Sequence, residues 1–187
     1  MAKALLFPFG FGAKKDSPST SSGRAVFLKL PASRYAIALG SNRPHGRHGA
    51  PAAVLRAAMA ELRALGTVEL CSPSHRTEAL GPAGRSFVNA ALILRSELDP
   101  FALLAALKRI ERAFGRRPGR RWGPRVLDLD IILWSGGRLS SRRLNIPHPA
   151  LASRAFVLLP LAQIAPAWRV PGTGRAVRHL AFRARPH

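Results

Sequence analysis

The chain has 187 residues, of which 47% are hydrophobic, and its 30 lysines and arginines against nine acidic residues give a formal net charge of +21. That length and apolar fraction are typical of one globular domain with a sizeable core. A single cysteine, Cys71, excludes an internal disulfide and disfavours a cysteine-based metal site, and no run of eighteen apolar residues predicts a membrane span. We therefore expect a cytoplasmic protein that does not contact membranes.

The two ends of the chain differ in composition from its middle. Residues 1–33 combine an apolar start with the serine-rich stretch KKDSPSTSSG and predict a disordered basic extension. The extension is also similar in composition to an organelle transit peptide. We expect residues 34–170 to form the domain and residues 171–187 to form a short basic tail without chemistry.

The first half of the middle region shows strand and helix patterns in turn. Alternating residues over 35–39 predict a strand that ends at Gly40 and delivers Ser41 and Asn42 to a loop. A stripe of leucines and a methionine at helical spacing predicts a helix over 52–65, with Gly66 as its left-handed cap. Strands follow over 68–77 and 87–95, and we expect them to pair as neighbours.

The second half begins with a capped helix. Asp99 is the predicted N-cap, Pro100 suits the first turn, and a buried stripe runs to Phe114 before Gly115. The last predicted strand, 126–133, carries Asp128 and Asp130. The order strand, helix, strand, strand, helix, strand indicates an α+β fold, a ferredoxin-like βαββαβ sandwich whose antiparallel sheet has helices packed against one face.

The two acids lie in the segment RWGPRVLDLDIIL, residues 121–133. In a strand, Asp128 and Asp130 would leave the same face ~7 Å apart. Carboxylates on so apolar a strand need cations or strong donors nearby, and Mg²⁺ typically takes one or two carboxylates together with waters and phosphates. The alternative is a salt-bridged pair at a strand end, which is the commoner outcome for an isolated pair of acids.

An arginine-rich loop with several glycines and prolines precedes that strand. Guanidinium groups match polyphosphate oxygens and keep their charge at any relevant pH. A solvated basic loop is the alternative interpretation. Together, the loop and the paired acids predict a metal-assisted phosphoryl-type transfer, in which alignment and charge stabilisation lower most of the barrier.

Six further blocks follow the chain in order over residues 35–168: IALGSN, HRTEALG, FVNAAL, RIE, IPHPAL and RAFVLLPLAQIAP. With these blocks and RWGPRVLDLDI, which fits a family hallmark at every fixed position, the sequence resembles the 6-hydroxymethyl-7,8-dihydropterin pyrophosphokinases of folate biosynthesis. The resemblance implies transfer of the β,γ-diphosphate of ATP to the primary hydroxyl of that pterin, with release of AMP. It also implies two Mg²⁺ ions held by Asp128 and Asp130.

The resemblance assigns roles residue by residue. It implies that the catalytic residues are Arg116, Arg125, Asp128 and Asp130. The residues on the ATP side are Lys108, Glu111, Trp122, Arg125, Ile131, Arg143, His148 and Arg154. The residues on the pterin side are Thr77, Leu80, Phe87, Asn89, Trp122 and Phe156. A second loop arginine is left open between Arg117 and Arg120, and no general base is assigned.

Several of these residues have a plainer interpretation. A flat pterin calls for aromatic faces and for an amide at its edge, which suits Phe156, Trp122 and Asn89. Without the resemblance, Phe156, Phe87 and Ile131 would be taken as core residues and His148 as a loop residue.

Two other functions fit parts of the sequence. The first is an ATP-dependent transferase with another small alcohol as acceptor. The second is a nucleic-acid binder, because the predicted topology also serves RNA-recognition modules and the chain is strongly basic. RNA-recognition modules carry an aromatic motif for base stacking, and the predicted strands of this chain lack it. We therefore expect a monomer that binds ATP and the pterin and has no specific nucleic-acid partner.

Overall fold

The computed structural model describes residues 31–78, 86–115 and 125–184. Its strands are β1 (Ser33–Ser41), β2 (Thr67–Cys71), β3 (His75–Thr77), β4 (Phe87–Ser96), β5 (Asp128–Trp134), β6 (Leu139–Ser140) and β7 (Asn145–Ile146). Its helices are α1 (Pro51–Leu62), α2 (Pro100–Ala113), α3 (Ala155–Ile164) and α4 (Val177–Arg183). The main sheet has the order β2-β4-β1-β5, with β3 also paired to β4, and every pairing is antiparallel.

Helices cover both faces of this sheet. One face packs Ile37, Leu39 and their neighbours against α1 and α2. The opposite face packs Ala36 and Ile93 against α3 and α4. The predicted antiparallel sheet with helices packed against it is confirmed. The two predicted helices, α1 and α2, share one face as expected. The other face is covered by α3 and α4, which the strand and helix patterns did not predict.

Two predicted elements are divided in the structure. The helix expected over 52–65 ends at Leu62 and continues as a single 3₁₀ turn, and the strand expected over 68–77 is split into β2 and β3 around Pro73. Proline lacks the N–H that a strand ladder needs. Gly66 has φ 154°, outside the left-handed helical region, so it is not the predicted cap; a Cβ there would meet the Arg95 carbonyl oxygen at 2.2 Å.

The start of α2 agrees with its prediction. Asp99 Oδ1 accepts hydrogen bonds from the backbone N–H groups of Phe101 at 2.8 Å and Ala102 at 2.9 Å, and Pro100 is the first helical residue. These bonds satisfy two donors that a helix start leaves without partners. The cap therefore defines the first turn of α2, the helix whose side chains reach β5.

The segment predicted as a basic tail, residues 171–187, contains α4. Val177, Leu180 and Ala181 are buried in the same cluster as α3, and the Val177 N–H donates to the Trp168 carbonyl. These contacts place α4 within the packed part of the chain. The predicted extension, residues 1–33, lies almost wholly outside the described residues. Among the helices that are described, none is long and apolar enough to cross a membrane.

Candidate active site

The two aspartates of β5 share the face of the sheet that carries α3. Asp128 pairs with Gly40 of β1, and Asp130 pairs with Ala38 of the same strand. Because strand side chains alternate between faces, both carboxylates project to one side while Leu129 enters the opposite core. The β1 residues paired with them are small and partly exposed, and we call the sheet surface over Gly40 and Ala38 the trough. The shared face predicted from the sequence is confirmed by this register.

Among the residues that the structure describes, three cationic side chains lie beside these carboxylates. Arg125 donates from Nη1 to Asp128 Oδ2. Lys108 Nζ lies 3.9 Å from Asp130 Oδ1, and Arg154 Nη1 lies 4.0 Å from Asp130 Oδ2. The last two distances exceed hydrogen-bond length. Lys108 and Arg154 therefore offset the charge of Asp130 without fixing its oxygens in place.

The donor set at this face fits Mg²⁺. The side chains of Asp128 and Asp130 are 20% and 32% exposed, so both are open to solvent on one side. Within the described ranges there is no group of three or more histidine, cysteine or acidic side chains that could hold a metal. Two oxygen ligands from protein, completed by water and phosphate oxygens, are the usual environment of Mg²⁺ at phosphoryl-transfer sites, whereas structural zinc requires more protein ligands.

His148 lies close enough to be influenced by four of these charges, those of Asp128, Asp130, Lys108 and Arg154. Its backbone N–H donates to the Ile132 carbonyl, and its ring Nδ1 accepts the Ala150 N–H at 3.1 Å. Burial lowers the pKa of His148, and the nearby Asp130 carboxylate partly offsets that shift. A neutral ring with Nδ1 as acceptor carries its proton on Nε2. The side chain can therefore offer one N–H to an oxygen of a ligand.

The predicted pterin residues that are described lie on the same face as the aspartates. Thr77 pairs with Phe87 across β3 and β4, and Asn89 donates from Nδ2 to Thr77 Oγ1 at 2.7 Å. Asn89 is 5% exposed and pairs with Gly40, which in turn pairs with Asp128. A Cβ at Gly40 would meet Asn89 Oδ1 at 3.2 Å. Glycine at this position therefore gives the amide room between the two strands.

The other predicted residues are distributed differently. Ile131 is buried in the core beneath the sheet, on the face opposite the aspartates, so its side chain is remote from the trough. Arg143 is exposed in the turn between β6 and β7. Arg154 also lies over the Phe156 ring, with its guanidinium carbon 5.7 Å from the ring centre. Outside the described residues lie Leu80, Arg116, Arg117, Arg120 and Trp122.

Lys108 and Glu111 meet on α2. Lys108 Nζ donates to Glu111 Oε1 at 2.7 Å, and Glu111 is 1% exposed. The same carboxylate oxygen accepts the Leu129 N–H at 2.8 Å. Both side chains predicted on the ATP side therefore contact the β5 backbone between the two aspartates.

The sequence motifs assigned no role to Asn42. Its Oδ1 accepts the Arg125 N–H at 2.7 Å, its own N–H donates to the Arg125 carbonyl at 3.1 Å, and it is 4% exposed. The residue thus joins the end of β1 to the segment that leads into β5. The signal available in the sequence was its position directly after a predicted strand, but its partner is 83 residues away along the chain.

Sequence and structure comparisons show which family has this arrangement. The model of the family described as 7,8-dihydro-6-hydroxymethylpterin-pyrophosphokinase (HPPK) matches residues 36–166. The chain belongs to the HPPK family. An HPPK relative from Synechocystis is 43% identical over 128 residues, covering 67% of this chain and 66% of that protein. One from Pseudomonas aeruginosa is 42% identical over 141 residues, covering 74% and 84%.

Longer proteins that contain an HPPK region also match. The mitochondrial folate synthesis bifunctional protein of Pisum sativum is 31% identical over 165 residues, covering 87% of this chain and 30% of that protein. The crystal structure of Plasmodium falciparum HPPK-DHPS A437G with pteroate aligns with a TM-score of 0.64 and 12% identity, covering 83% of this chain and 44% of that one. This chain therefore spans less than half of these bifunctional chains, and the structural likeness concerns the fold alone. The family membership and the pyrophosphokinase class predicted from the motifs are confirmed by the sequence matches.

Proposed function

We propose that the chain transfers diphosphate from ATP to 6-hydroxymethyl-7,8-dihydropterin in folate biosynthesis, with Mg²⁺ as cofactor. The acceptor hydroxyl oxygen bonds to the β-phosphorus, the bond from that phosphorus to the bridging α-oxygen breaks, AMP leaves, and the hydroxyl proton passes to solvent. The observation that carries this proposal is the register of Asn89, Gly40 and Asp128, which lie side by side on one face of three adjacent strands.

The spacing of these strands suits the two substrates. Asn89 and Asp128 are two strands apart, which corresponds to about 10 Å across the sheet. A flat bicyclic ring whose amide edge bonds Asn89 can extend over Gly40 and direct its hydroxymethyl group toward the carboxylates. Asn89 already donates to Thr77, so its Oδ1 faces Gly40 and the trough as an acceptor.

Asp128 and Asp130 would hold the Mg²⁺, which when bound neutralises phosphate charge and acidifies a coordinated hydroxyl. Around them, Arg125, Lys108 and Arg154 supply positive charge, and His148 supplies an N–H. Fixed donors aimed at phosphate oxygens stabilise the charge that develops during transfer without reorganising at that moment. A separate general base is not required by this arrangement.

Other features belong to the same proposal. The strand order supports a ferredoxin-like core to which α3 and α4 are added. Two Mg²⁺ ions, the roles of Arg116, Trp122 and Leu80, a cytoplasmic location, a monomeric state and the lack of a specific nucleic-acid partner stay predictions.

The test is AMP release from ATP and Mg²⁺, with and without the pterin, by the full chain. Asp128→Asn and Asp130→Asn keep the shape of each side chain while removing its charge. We expect pterin-dependent AMP formation that falls at least about a hundredfold in either variant, because even the outer partners of metal ligands contribute about 10- to 100-fold. Glu61→Gln, which changes an exposed acid on α1, is the matched control.

The alternatives give different results. AMP formation that needs another small alcohol in place of the pterin would support the related transferase. Formation of ADP instead of AMP, or full activity in both asparagine variants, would refute the proposal.

A further inference from the structure

On the outer edge of β5, backbone groups form hydrogen bonds with side chains of α2 instead of with another strand. β5 is the last strand in the described sheet order, so one side of its backbone faces α2. On that side the Leu129 N–H donates to Glu111 Oε1 at 2.8 Å, and the Leu129 carbonyl accepts from Lys108 Nζ at 3.1 Å. Lys108 Nζ also donates to the same Glu111 oxygen at 2.7 Å. Two α2 side chains therefore replace a neighbouring strand at the residue between the two aspartates.

The Glu111 carboxylate is buried, and its burial requires the partners that surround it. A carboxylate that is 1% exposed, such as Glu111, is costly to desolvate unless cations and donors surround it. Lys108 supplies the cation from three residues earlier on the same helix, a spacing at which helical side chains meet. Because both side chains are carried by α2, their bonds to Leu129 tie the β5 backbone to that helix.

We propose that Lys108 and Glu111 are positioning residues for the metal site. They hold Leu129 so that Asp128 and Asp130, on either side of it, keep the spacing and direction that metal binding needs. This inference rests on the proposed function of the two aspartates. It goes beyond the ATP contacts predicted for Lys108 and Glu111, because it gives both residues a role in the affinity of the site for metal.

A counter-ion role for Lys108 predicts the opposite result. Its Nζ lies 3.9 Å from Asp130 Oδ1, so its charge competes with a cation for that carboxylate. If Lys108 acted only as a counter-ion, removing its charge would tighten metal binding. If it positions the strand, the same change weakens metal binding. The sign of the effect therefore separates the two roles.

The test is a Mn²⁺ titration of the full chain with α,β-methylene ATP, whose methylene bridge prevents cleavage, with free Mn²⁺ followed by electron paramagnetic resonance. We expect Lys108→Met and Glu111→Gln each to raise the Mn²⁺ concentration at half-occupancy about tenfold, the lower range for a partner of a metal ligand. Lys108→Arg keeps the charge and the donors and should stay within about threefold. Arg109→Met, an exposed cation on the same helix, and Glu61→Gln are the matched controls and should not differ from the original chain.

A second readout reports on the strand itself. Hydrogen exchange at the Leu129 amide should accelerate in Glu111→Gln and Lys108→Met but not in the controls. Thermal unfolding identifies a variant that does not fold, and Lys108→Gln, which is uncharged and keeps an NH₂ donor group, then replaces Lys108→Met.

The outcomes distinguish this inference from the proposed function. An unchanged or lowered Mn²⁺ midpoint in Lys108→Met, together with a raised midpoint in Asp130→Asn, overturns the positioning role alone. Unchanged midpoints in both Asp128→Asn and Asp130→Asn overturn the metal site, and the positioning role with it.

Discussion

Asn42 shows how one buried residue can anchor the segment that leads into the active-site strand. Its side-chain Oδ1 accepts from the Arg125 N–H and its backbone N–H donates to the Arg125 carbonyl, and Arg125 in turn bonds Asp128. Asn42→Ala removes the side-chain acceptor and leaves the Arg125 N–H without this partner. We expect a loss of about 1–3 kcal/mol in the free energy of unfolding, and a turnover at least about tenfold lower.

Chemical denaturation and steady-state kinetics measure these two quantities. Asn145→Ala, which changes an exposed asparagine in β7, is the control. Asn42→Asp retains an acceptor oxygen and should recover most of the stability. Equal effects of the Asn42 and Asn145 substitutions would contradict the anchoring role.

Gly40 separates the amide of Asn89 from the carboxylate of Asp128. A Cβ at this position would lie 3.2 Å from Asn89 Oδ1 and 4.0 Å from Asp128 Cβ, so the amide must move while the aspartate need not. We expect Gly40→Ala to raise the KM for the pterin several-fold, by roughly 1 kcal/mol of lost binding, with little change in the KM for ATP. Gly46→Ala is the control, since a Cβ there has no neighbour within 4 Å. A rise in the ATP KM alone would place the pterin elsewhere.

Tyr35 makes stability depend on alkaline pH. Its hydroxyl donates to the Leu98 carbonyl at 2.7 Å, and burial, followed by the charge of Asp99, raises its pKa to about 12. A raised pKa favours the protonated form in the folded state. The stabilisation is therefore complete below pH 10 and is lost between pH 10 and 12. By pH 11 the protein has lost about 1.4 kcal/mol of unfolding free energy from this group.

Tyr35 is the single tyrosine of the chain, so its ionisation can be followed by tyrosinate absorbance. Tyr35→Phe should lower stability by roughly 1 kcal/mol at neutral pH and should lack this alkaline component. The difference in unfolding free energy between the two proteins should therefore fall to about zero as pH rises from 9 to 11. A constant difference, or a tyrosinate midpoint near 10, would be inconsistent with the burial of this hydroxyl.

At the scale of elements, periodicity succeeded where a segment buries one face. The α2 stripe and its Asp99 cap, the alternation in β1 and the shared face of Asp128 and Asp130 all follow from local spacing. The helix α3 is apolar on all sides and contains Pro160, so it shows neither amphipathic spacing nor the usual absence of proline. Its helical form depends on packing against the sheet and α4, which local patterns cannot reveal.

The same limit applies to the site. The shared face of the paired acids could be predicted from their alternation in one strand, and Arg125 from its place directly before that strand. The bonds of Asn42 to Arg125 and of Glu111 to Leu129 join residues 83 and 18 positions apart, and both depend on how the strands and α2 pack. Burial of Glu111 was likewise invisible, because acids are rarely buried and its helical position lay beside the predicted stripe.

The cap of α2 tests how closely this helix is linked to β5. Asp99→Ala removes the acceptor for two backbone N–H groups and should cost about 1 kcal/mol of unfolding free energy. Lys108 and Glu111 lie more than two turns away, so we expect turnover at 25 °C to be nearly unchanged. Thermal denaturation and kinetics are compared with Asp99→Asn, which retains a capping oxygen. A large loss of turnover without a loss of stability would show that the cap, and not the Lys108–Glu111 pair, sets the position of α2.

For the whole molecule, the distribution of charge is uneven. The net charge is +21, and no acidic residue follows Asp130 in the sequence. Such a chain attracts any polyanion through release of counterions, and that attraction falls steeply with salt. ATP makes far fewer phosphate contacts than a duplex, so its binding should depend less on salt. The basic charge and the active site should therefore be separable.

We expect the affinity for a labelled DNA duplex of arbitrary sequence to fall at least about tenfold between about 50 and 200 mM salt, while the KM for ATP changes only a few-fold. The Asp128→Asn, Asp130→Asn double variant should bind the duplex at least as well as the original chain, because it loses two negative charges and only the metal site. Fluorescence anisotropy and AMP formation at the two salt concentrations measure both quantities. Duplex binding that resists salt and depends on the base sequence would instead indicate a dedicated nucleic-acid surface, and would favour the binding function that the topology alone left open.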